Sequence, residues 1–338
     1  MKKKEMARKL WEMCFDDNPK FTDLYFRKRY TDENTIAVFE EDEMISVLQL
    51  LPYPFLWKNI ELDSAYISGA CTHGQHRNKG AMHKLLADSL NHLAKTNVPI
   101  CTLIPAEEWL FDYYQKSGFE TLFYNAHYNF DLPSLEMKDD IIVTFSKDFC
   151  EESYTYFDSK MRERETVILH PKEDMEVVLA DLTQADGAIF TARKDRKLVG
   201  IAFAYADNKS KTVFINEILT DECSIKQEVF KAVAKYYGYN KVSAIAPAYH
   251  LPKQKFGMLR VVLALPLLRI YAKHNPDWSD RFILEDTLVA ENNGTYTIEK
   301  GRVNFEPTLK KKIKKINSND LAVMLFKDSE AYMSLMLD

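Results

Sequence analysis

The stretch Ala65–Leu86, AYISGACTHGQHRNKGAMHKLL, decides the fold of this chain. Ala65–Thr72 carries Tyr, Ile and Thr without helical spacing, which predicts a buried strand. Met82, Leu85, Leu86, Leu90 and Leu93 then recur at three and four residues and predict an amphipathic helix opening at Gly80. A helix N-terminus offers unpaired backbone N–H groups and the positive end of the helix dipole. That combination suits an anion, above all a phosphate. Arg77 and Lys79 add positive charge at the same point. Strand, basic turn and helix together predict a site for a phosphorylated cofactor at the mouth of a strand.

Two better-known phosphate loops are absent. A P-loop needs two glycines flanking four residues, then Lys and Ser or Thr; the dinucleotide fingerprint needs three spaced glycines and a later acid. What the chain has is Arg77-Asn78-Lys79-Gly80-Ala81-Met82, or R-x-x-G-x-M. One helix and one strand later comes a second cluster. Pro99–Ile104 predicts a short buried strand, and Ala106–Lys116 a helix with Trp109, Leu110, Tyr113 and Tyr114 on its apolar side. Gly118, in Ser117-Gly118-Phe119, suits a left-handed cap at its end.

These two motifs, in this order and with these elements between them, resemble the signatures of the GNAT family of N-acetyltransferases. The first is similar to that family's acetyl-CoA loop, Q/R-x-x-G-x-G/A, except that Met82 stands where Gly or Ala is usual. The second is a tyrosine followed four residues later by Gly-Phe, here Tyr114, Gly118 and Phe119.

At 338 residues the chain is too long for one such domain, and its length allows two or three. The basic N-terminus MKKKEMARKLWEMCF lacks an apolar core region; Met6, Leu10, Met13 and Cys14 fall at helical spacing and predict a surface helix rather than a signal peptide. The longest apolar run, Val261–Leu268, is interrupted by Pro266 and too short to span a membrane. Five cysteines, without C-x-x-C spacing, speak for a reducing cytoplasm and against a disulfide frame or a zinc site. A net charge of −5 disfavours a nucleic-acid partner and suits a cationic amine. Cytoplasmic location, no metal, no membrane partner and compatibility with a homo-oligomer are the resulting expectations.

By pattern the chain divides into three. Residues 1–132 hold two early helices, strands Thr35–Glu40 and Met44–Pro52 with Glu41-Asp42-Glu43 between them, and the motifs above. The acidic groups Asp32–Glu33 and Glu40–Glu43 read as solvated turns, or as the border of an amine cleft. After a linker at Leu132-Pro133-Ser134-Leu135, residues 137–250 run helix (Glu151–Arg164), three strands (Ala188–Arg193, Lys197–Ala206, Lys211–Leu219) and helix (Ser224–Tyr237). That order repeats the first part, but the loop position reads Thr220-Asp221-Glu222-Cys223-Ser224, whose acids repel a pyrophosphate. This predicts a degenerate second GNAT-like domain. After a second linker, Leu251–Gly257, residues 258–338 predict a short strand or turn and an apolar helix, strands Arg281–Ala290 and Gly294–Glu299 joined through Asn292-Asn293-Gly294, and a final helix Asn319–Phe326. Lys310–Lys315 reads as a solvated strand or loop edge, since no apolar face accompanies it.

The three-part layout resembles the Eis-type acetyltransferases (enhanced intracellular survival proteins): tandem GNAT-like domains followed by a sterol-carrier-like α+β domain, a mixed α/β fold class. Met258-Leu259-Arg260-Val261, Asp286 and Asn293-Gly294-Thr295-Tyr296 match its last part, and a bulky third motif residue such as Met82 is common there. The resemblance implies acetyl-CoA as co-substrate, held by Ala70, Cys71, Thr72, Arg77, Asn78, Lys79, Gly80, Ala81 and Met82. It implies transfer to a primary amine of a small molecule or peptide. Tyr114 is implied as the acid that protonates the departing thiolate, a role suited to a hydroxyl with a reference pKa of about 10. On the helix alone, Tyr114 reads as core; the Tyr-x-x-x-Gly-Phe context turns the reading to the acid, and Tyr113 is its neighbour. The resemblance also implies that the chain's own terminal carboxylate, on Asp338, is the base; the tail AYMSLMLD is apolar enough to dock. His73, His76 and His83 cluster near the loop but show no acid partner in sequence. A hydrophobic-ligand carrier using the C-terminal part, and a non-catalytic acetyl-CoA-binding scaffold, remain as alternative functions.

Overall fold

The computed structural model describes residues 2–137, 140–247, 252–308 and 313–337. Asp338, Leu251 and Lys310–Lys312, which the sequence singled out, lie outside these residues.

The chain opens with helices α1 (Lys3–Cys14) and α2 (Pro19–Lys28). α2 is started by Asn18, whose side chain accepts the Lys20 N–H at 3.0 Å, with Pro19 in the first helical position. Strands β1 (Thr35–Glu40), β2 (Glu43–Trp57) and β3 (Ile60–Thr72) form an antiparallel meander. Helix α3 (Ala81–Lys95) buries Ala81, Leu85, Leu86, Leu90 and Leu93, the stripe expected from the sequence, with Met82 at its margin. Then come β4 (Ile100–Leu103), α4 (Glu108–Gln115) and β5 (Glu120–Asp131). In α4 the buried residues are Phe111 and Tyr114. Trp109, expected on the apolar side, is 63% exposed: the helix has barely two turns, and its inward stripe starts three residues before Tyr114.

The second unit contains more than the sequence suggested. It runs β6 (Ile142–Ser146), α5 (Glu151–Met161), β7 (Thr166–Ile168), α6 (Lys172–Gln184), β8 (Ala188–Lys194), β9 (Lys197–Asp207), β10 (Thr212–Thr220), α7 (Cys223–Tyr237) and β11 (Lys241–Pro247). Helix α6 was legible after all, since Met175, Val178, Leu179 and Leu182 keep helical spacing and are buried. Strand β7 has three residues and no periodicity to read.

The supposed linker at Leu251–Gly257 is corrected. Strand β12 (Gln254–Val261) begins inside it and inserts between β4 and β5, antiparallel to both. The large sheet therefore runs β1-β2-β3-β4-β12-β5-β11-β10-β9-β8-β6, with β7 added on β2. β5 and β11 pair across the two units, so both halves share one continuous sheet. Helix α8 (Ala264–His274) leads to strands β13 (Asp280–Glu285), β14 (Gly294–Glu299), β15 (Arg302–Glu306) and β16 (Lys314–Asn317), a four-stranded sheet of order β15-β14-β13-β16, and to α9 (Ser318–Phe326). β13 stops five residues short of the expected Ala290, and Asn292-Asn293-Gly294 is not a two-residue hairpin turn. Asp286 instead organises a longer loop, accepting the N–H groups of Leu288 and Val289 at 3.1 Å each and the Asn292 amide at 2.8 Å. The apolar helix α8 is core: Leu267 and Leu268 are fully buried in one cluster with Phe55 and Trp57 of β2 and Phe282 of β13.

Candidate active site

β3 and β4 run parallel but pair only at Ser64↔Ile100, Ala65↔Cys101 and Tyr66↔Thr102. β4 ends at Leu103, while β3 continues to Thr72 with β2 alone beside it. The two strands thus part beyond Tyr66. Beyond that point β3 has no strand on its β4 side among the described residues, an edge suited to an extended, amide-bearing chain.

The mouth of this opening is the basic loop. Residues 73–80 link β3 to α3. Gly80 is the N-cap of α3 with φ of +85°, a left-handed conformation that any Cβ would strain. Open space surrounds it, so the first backbone N–H groups of α3 face outward over Arg77, Asn78 and Lys79, all exposed. Arg77 folds back, its Nε donating to the Thr72 carbonyl at 3.2 Å. Cys14, from the end of α1, reaches the same carbonyl at 3.5 Å. Its thiol is lowered to about 6, first by the Cys71 thiol that donates to it and then by Arg77, while Cys71 is pushed well up as the donor of that pair. The Cys14 sulfur and the Arg77 guanidinium therefore sit side by side at the base of the loop. The histidines nearby serve the loop: His76 pairs with Glu40 at 2.7 Å, and the His73 ring accepts the Gln75 N–H at 3.3 Å. Glu41, Asp42 and Glu43 are exposed in the β1–β2 turn.

The residues proposed from sequence fall on two faces of β3. Ala70 packs with Ile67, Ala81, Met82, Tyr113 and Tyr114 on the α3 side. Cys71 belongs to the cluster of Trp11 and Tyr25 on the α1–α2 side. Thr72 closes the strand, its hydroxyl 2.8 Å from that of Ser46. Tyr114 is buried and stacks edge-on against Tyr113 and Phe119, with ring centroids 5.6 and 5.9 Å away. Burial raises the Tyr113 hydroxyl, so both tyrosines stand in low-dielectric surroundings.

The turn after Tyr114 is set by a residue the sequence left unexplained. Gly118 has φ of +83°, and a Cβ there would lie 2.3 Å from Ser318 Oγ and 2.6 Å from Arg260 Nε. Arg260 is fully buried. Its Nε donates to the Ser117 carbonyl at 3.1 Å, and its terminal nitrogen reaches both Asp286 oxygens at 2.7 Å. The Gly-Phe motif thus marks a close approach between α4 and the C-terminal part. A single Arg in the apolar run from Met258 to Leu268 was the available signal.

Sequence reading also missed the polar residues on the α1–α2 side of the opening. Tyr25 OH donates to Ser68 Oγ at 2.9 Å and lies 3.3 Å from Gln49 Oε1. Gln49 is fully buried, and its Nε2 has no hydrogen-bond partner among the described residues, an unusual state for a buried donor. The C-terminal tail comes to this place. Leu337 is buried, and its carbonyl accepts from Ser68 Oγ at 3.4 Å. The tail is docked up to that point; Asp338 itself lies outside the described residues. Among the described residues no group of three or more His, Cys, Asp or Glu is placed to hold a metal, and no helix is long and apolar enough to cross a membrane.

Residues 2–122 match the family model of an acetyltransferase (GNAT) domain. Solved structures share the fold along nearly the whole chain. A GCN5-related N-acetyltransferase from Anabaena variabilis is 16% identical with a TM-score of 0.75, over 94% of this chain and 86% of that one. A conserved protein of Enterococcus faecalis described as a probable N-acyltransferase is 14% identical with a TM-score of 0.74, over 98% and 95%. Eis1 from Mycobacterium abscessus is 11% identical with a TM-score of 0.70, over 95% and 86%. At these identities the likeness is one of fold, and it agrees with the mixed α/β class expected from the sequence. No curated protein matches the chain. The N-terminal part is a GNAT acetyltransferase domain, an enzyme domain of the acyl-transfer class.

Proposed function

We propose that the protein is an acetyl-CoA-dependent N-acetyltransferase of the Eis-like three-part type, acting on a primary amine of a small molecule or peptide. The observation that carries this reading is the parting of β3 from β4 directly beneath the loop 73–80. An extended pantetheine arm, with its two amides, suits the free edge of β3. The pyrophosphate suits the N-terminus of α3, with Arg77 and Lys79 beside it. Ala70–Thr72 and Arg77–Met82 are the proposed contacts. The amine nitrogen attacks the thioester carbonyl, the C–S bond breaks, and the Tyr114 hydroxyl gives its proton to the departing thiolate sulfur. The ammonium proton goes to the α-carboxylate of Asp338. That assignment is supported by the docking of Leu337 against Ser68 of β3. The unpartnered Gln49 amide offers a further donor on the same side. The proposed division is a catalytic domain over 1–132, a degenerate domain over 137–250 and a sterol-carrier-like domain over 258–338, with β12 lent back to the first sheet.

Gly80→Asp tests the cofactor site. The substitution forces a left-handed residue, at roughly 1–2 kcal/mol, and sets a carboxylate against the phosphates. Affinity for acetyl-CoA, measured by calorimetry, is expected to fall by more than about tenfold, which corresponds to 1.4 kcal/mol. Wild-type affinity in that variant overturns the loop assignment. The base is tested at the chain end. Two or three residues appended after Asp338 are expected to lower kcat by about tenfold or more and leave acetyl-CoA binding intact, whereas Asp338→Ala keeps the α-carboxylate and is mild. A chain extended in this way that turns over normally removes the terminal carboxylate from the mechanism.

A further inference from the structure

The second unit repeats the strand geometry of the first without its loop. β10 and β11 run parallel over Thr212↔Lys241 to Ile215↔Ala244 and then part, as β3 and β4 part after Tyr66. Ser68 stands two residues beyond the last parallel pair of the first unit; Glu217 stands two residues beyond that of the second, next to a bulge between Ile215 and Glu217. The connection to the following helix shrinks from residues 73–80 to residues 221–222. Asp221 and Glu222 make up that connection, and Asp221 is engaged by Tyr156 and Lys160 at 3.0 Å each.

Glu217 is 1% exposed. Its Oε1 accepts the Ile218 N–H at 2.9 Å. Its Oε2 accepts two hydroxyls from the tail, Tyr332 OH and Ser334 Oγ, each at 2.7 Å. Burial, with the Glu217 charge adding to it, pushes the Tyr332 hydroxyl well up, so that it stays a donor. A second group grips the same turn. His170 Nε2 donates to the Ser334 carbonyl at 2.8 Å, and its Nδ1 meets Asp174 at 2.5 Å. Burial alone would raise the Asp174 carboxyl, but His170, Arg29 and the Tyr53 hydroxyl hold it below its ordinary value. Arg29 and Tyr53, which reach Asp174 at 3.0 and 2.8 Å, belong to the first unit. The tail backbone is tied as well: Tyr332 exchanges two 3.0 Å hydrogen bonds with Thr166 and Ile168 of β7.

We propose that the parted strands of the second unit are the anchorage of the chain's C-terminal tail, with Glu217 and His170 as positioning residues that fix where Leu337 meets β3. Leu337 lies three positions beyond Ser334, a reach of roughly 10 Å at full extension. Fixing Ser334 at Glu217 and His170 therefore confines the chain end to a small region at Ser68. Without the tail hydroxyls, the buried Glu217 carboxylate would keep a single hydrogen-bond donor among the described residues, the Ile218 N–H, a costly state. The degenerate domain thus serves the first one by holding the strap that ends in it. The kinetic consequence rests on the chain-end base proposed above; the anchorage itself does not.

The test uses the full-length chain with Glu217→Ala and Glu217→Gln, the latter retaining shape if the former fails to fold. Carboxypeptidase release of the terminal residues reads the anchorage, and kcat and KM for acetyl-CoA read its consequence. Release is expected to accelerate by about tenfold or more in Glu217→Ala, by less in Glu217→Gln, and likewise in the Tyr332→Phe/Ser334→Ala pair. kcat is expected to fall with KM for acetyl-CoA unchanged, and Glu217→Ala is expected to add nothing to kcat once Leu335–Asp338 are deleted. A chain end as protected in both Glu217 variants as in the wild type overturns the anchorage. Faster release with kcat unchanged, in both Glu217→Ala and the truncated chain, upholds the anchorage and discards the terminal carboxylate as base.

Discussion

Tyr114→Phe is expected to lower kcat by about 10²–10⁴-fold, the range typical of a lost acid–base group, while fold and acetyl-CoA affinity stay as in the wild type. The ring fills the cluster shared by Ala70, Ala81, Leu85 and Met258, and phenylalanine fills it equally. What goes is one hydroxyl, the proton source proposed for the thiolate. Steady-state kinetics, with calorimetry for acetyl-CoA, read the two quantities separately. Tyr113→Phe is the necessary control, because burial raises that hydroxyl's pKa and it lies one residue away. Loss of turnover in Tyr113→Phe, with Tyr114→Phe intact, moves the acid to Tyr113. Loss in neither removes the tyrosine acid altogether.

Arg260→Met is expected to destabilise the protein by about 3–5 kcal/mol, as when one partner of a buried ion pair is removed. Methionine roughly fills the space, so the cost comes from leaving the Asp286 carboxylate uncompensated at 1% side-chain exposure. Urea unfolding measures it. Arg260→Met/Asp286→Asn is expected to recover part of the loss, because the remaining group is then uncharged. A single variant as stable as the wild type would mean that the Leu288, Val289 and Asn292 donors alone suffice for Asp286. The pair also supports the site, since Arg260 holds the Ser117 carbonyl at the end of Tyr114's helix.

The anion loop and the tyrosine helix were legible in the chain because their information is local. A strand, a glycine that must adopt a left-handed cap, and a leucine stripe at helical spacing declare themselves within about thirty residues. The same holds for α7, β8 to β10, and the final helix capped by Asn317 and Asp320. Short elements without a full period, such as β7, left no such trace.

What the tertiary structure alone decided is which distant residues meet. β12 enters the first sheet from beyond the second unit, so residues 254–257 look like a linker in sequence and are a strand in space. Gly118 is required because Arg260, far along the chain, passes beneath it. Ser68, Gln49 and Tyr25 are ordinary residues in sequence and become a polar site only when α2, β2 and β3 stack. Glu217 and His170 carry no motif; they acquire a role when the tail returns to them. Local propensity follows from backbone sterics and side-chain periodicity, which act over a few residues. A buried carboxylate, arginine or amide gains its meaning from the partner that desolvation compels it to find, and that partner is chosen by the fold.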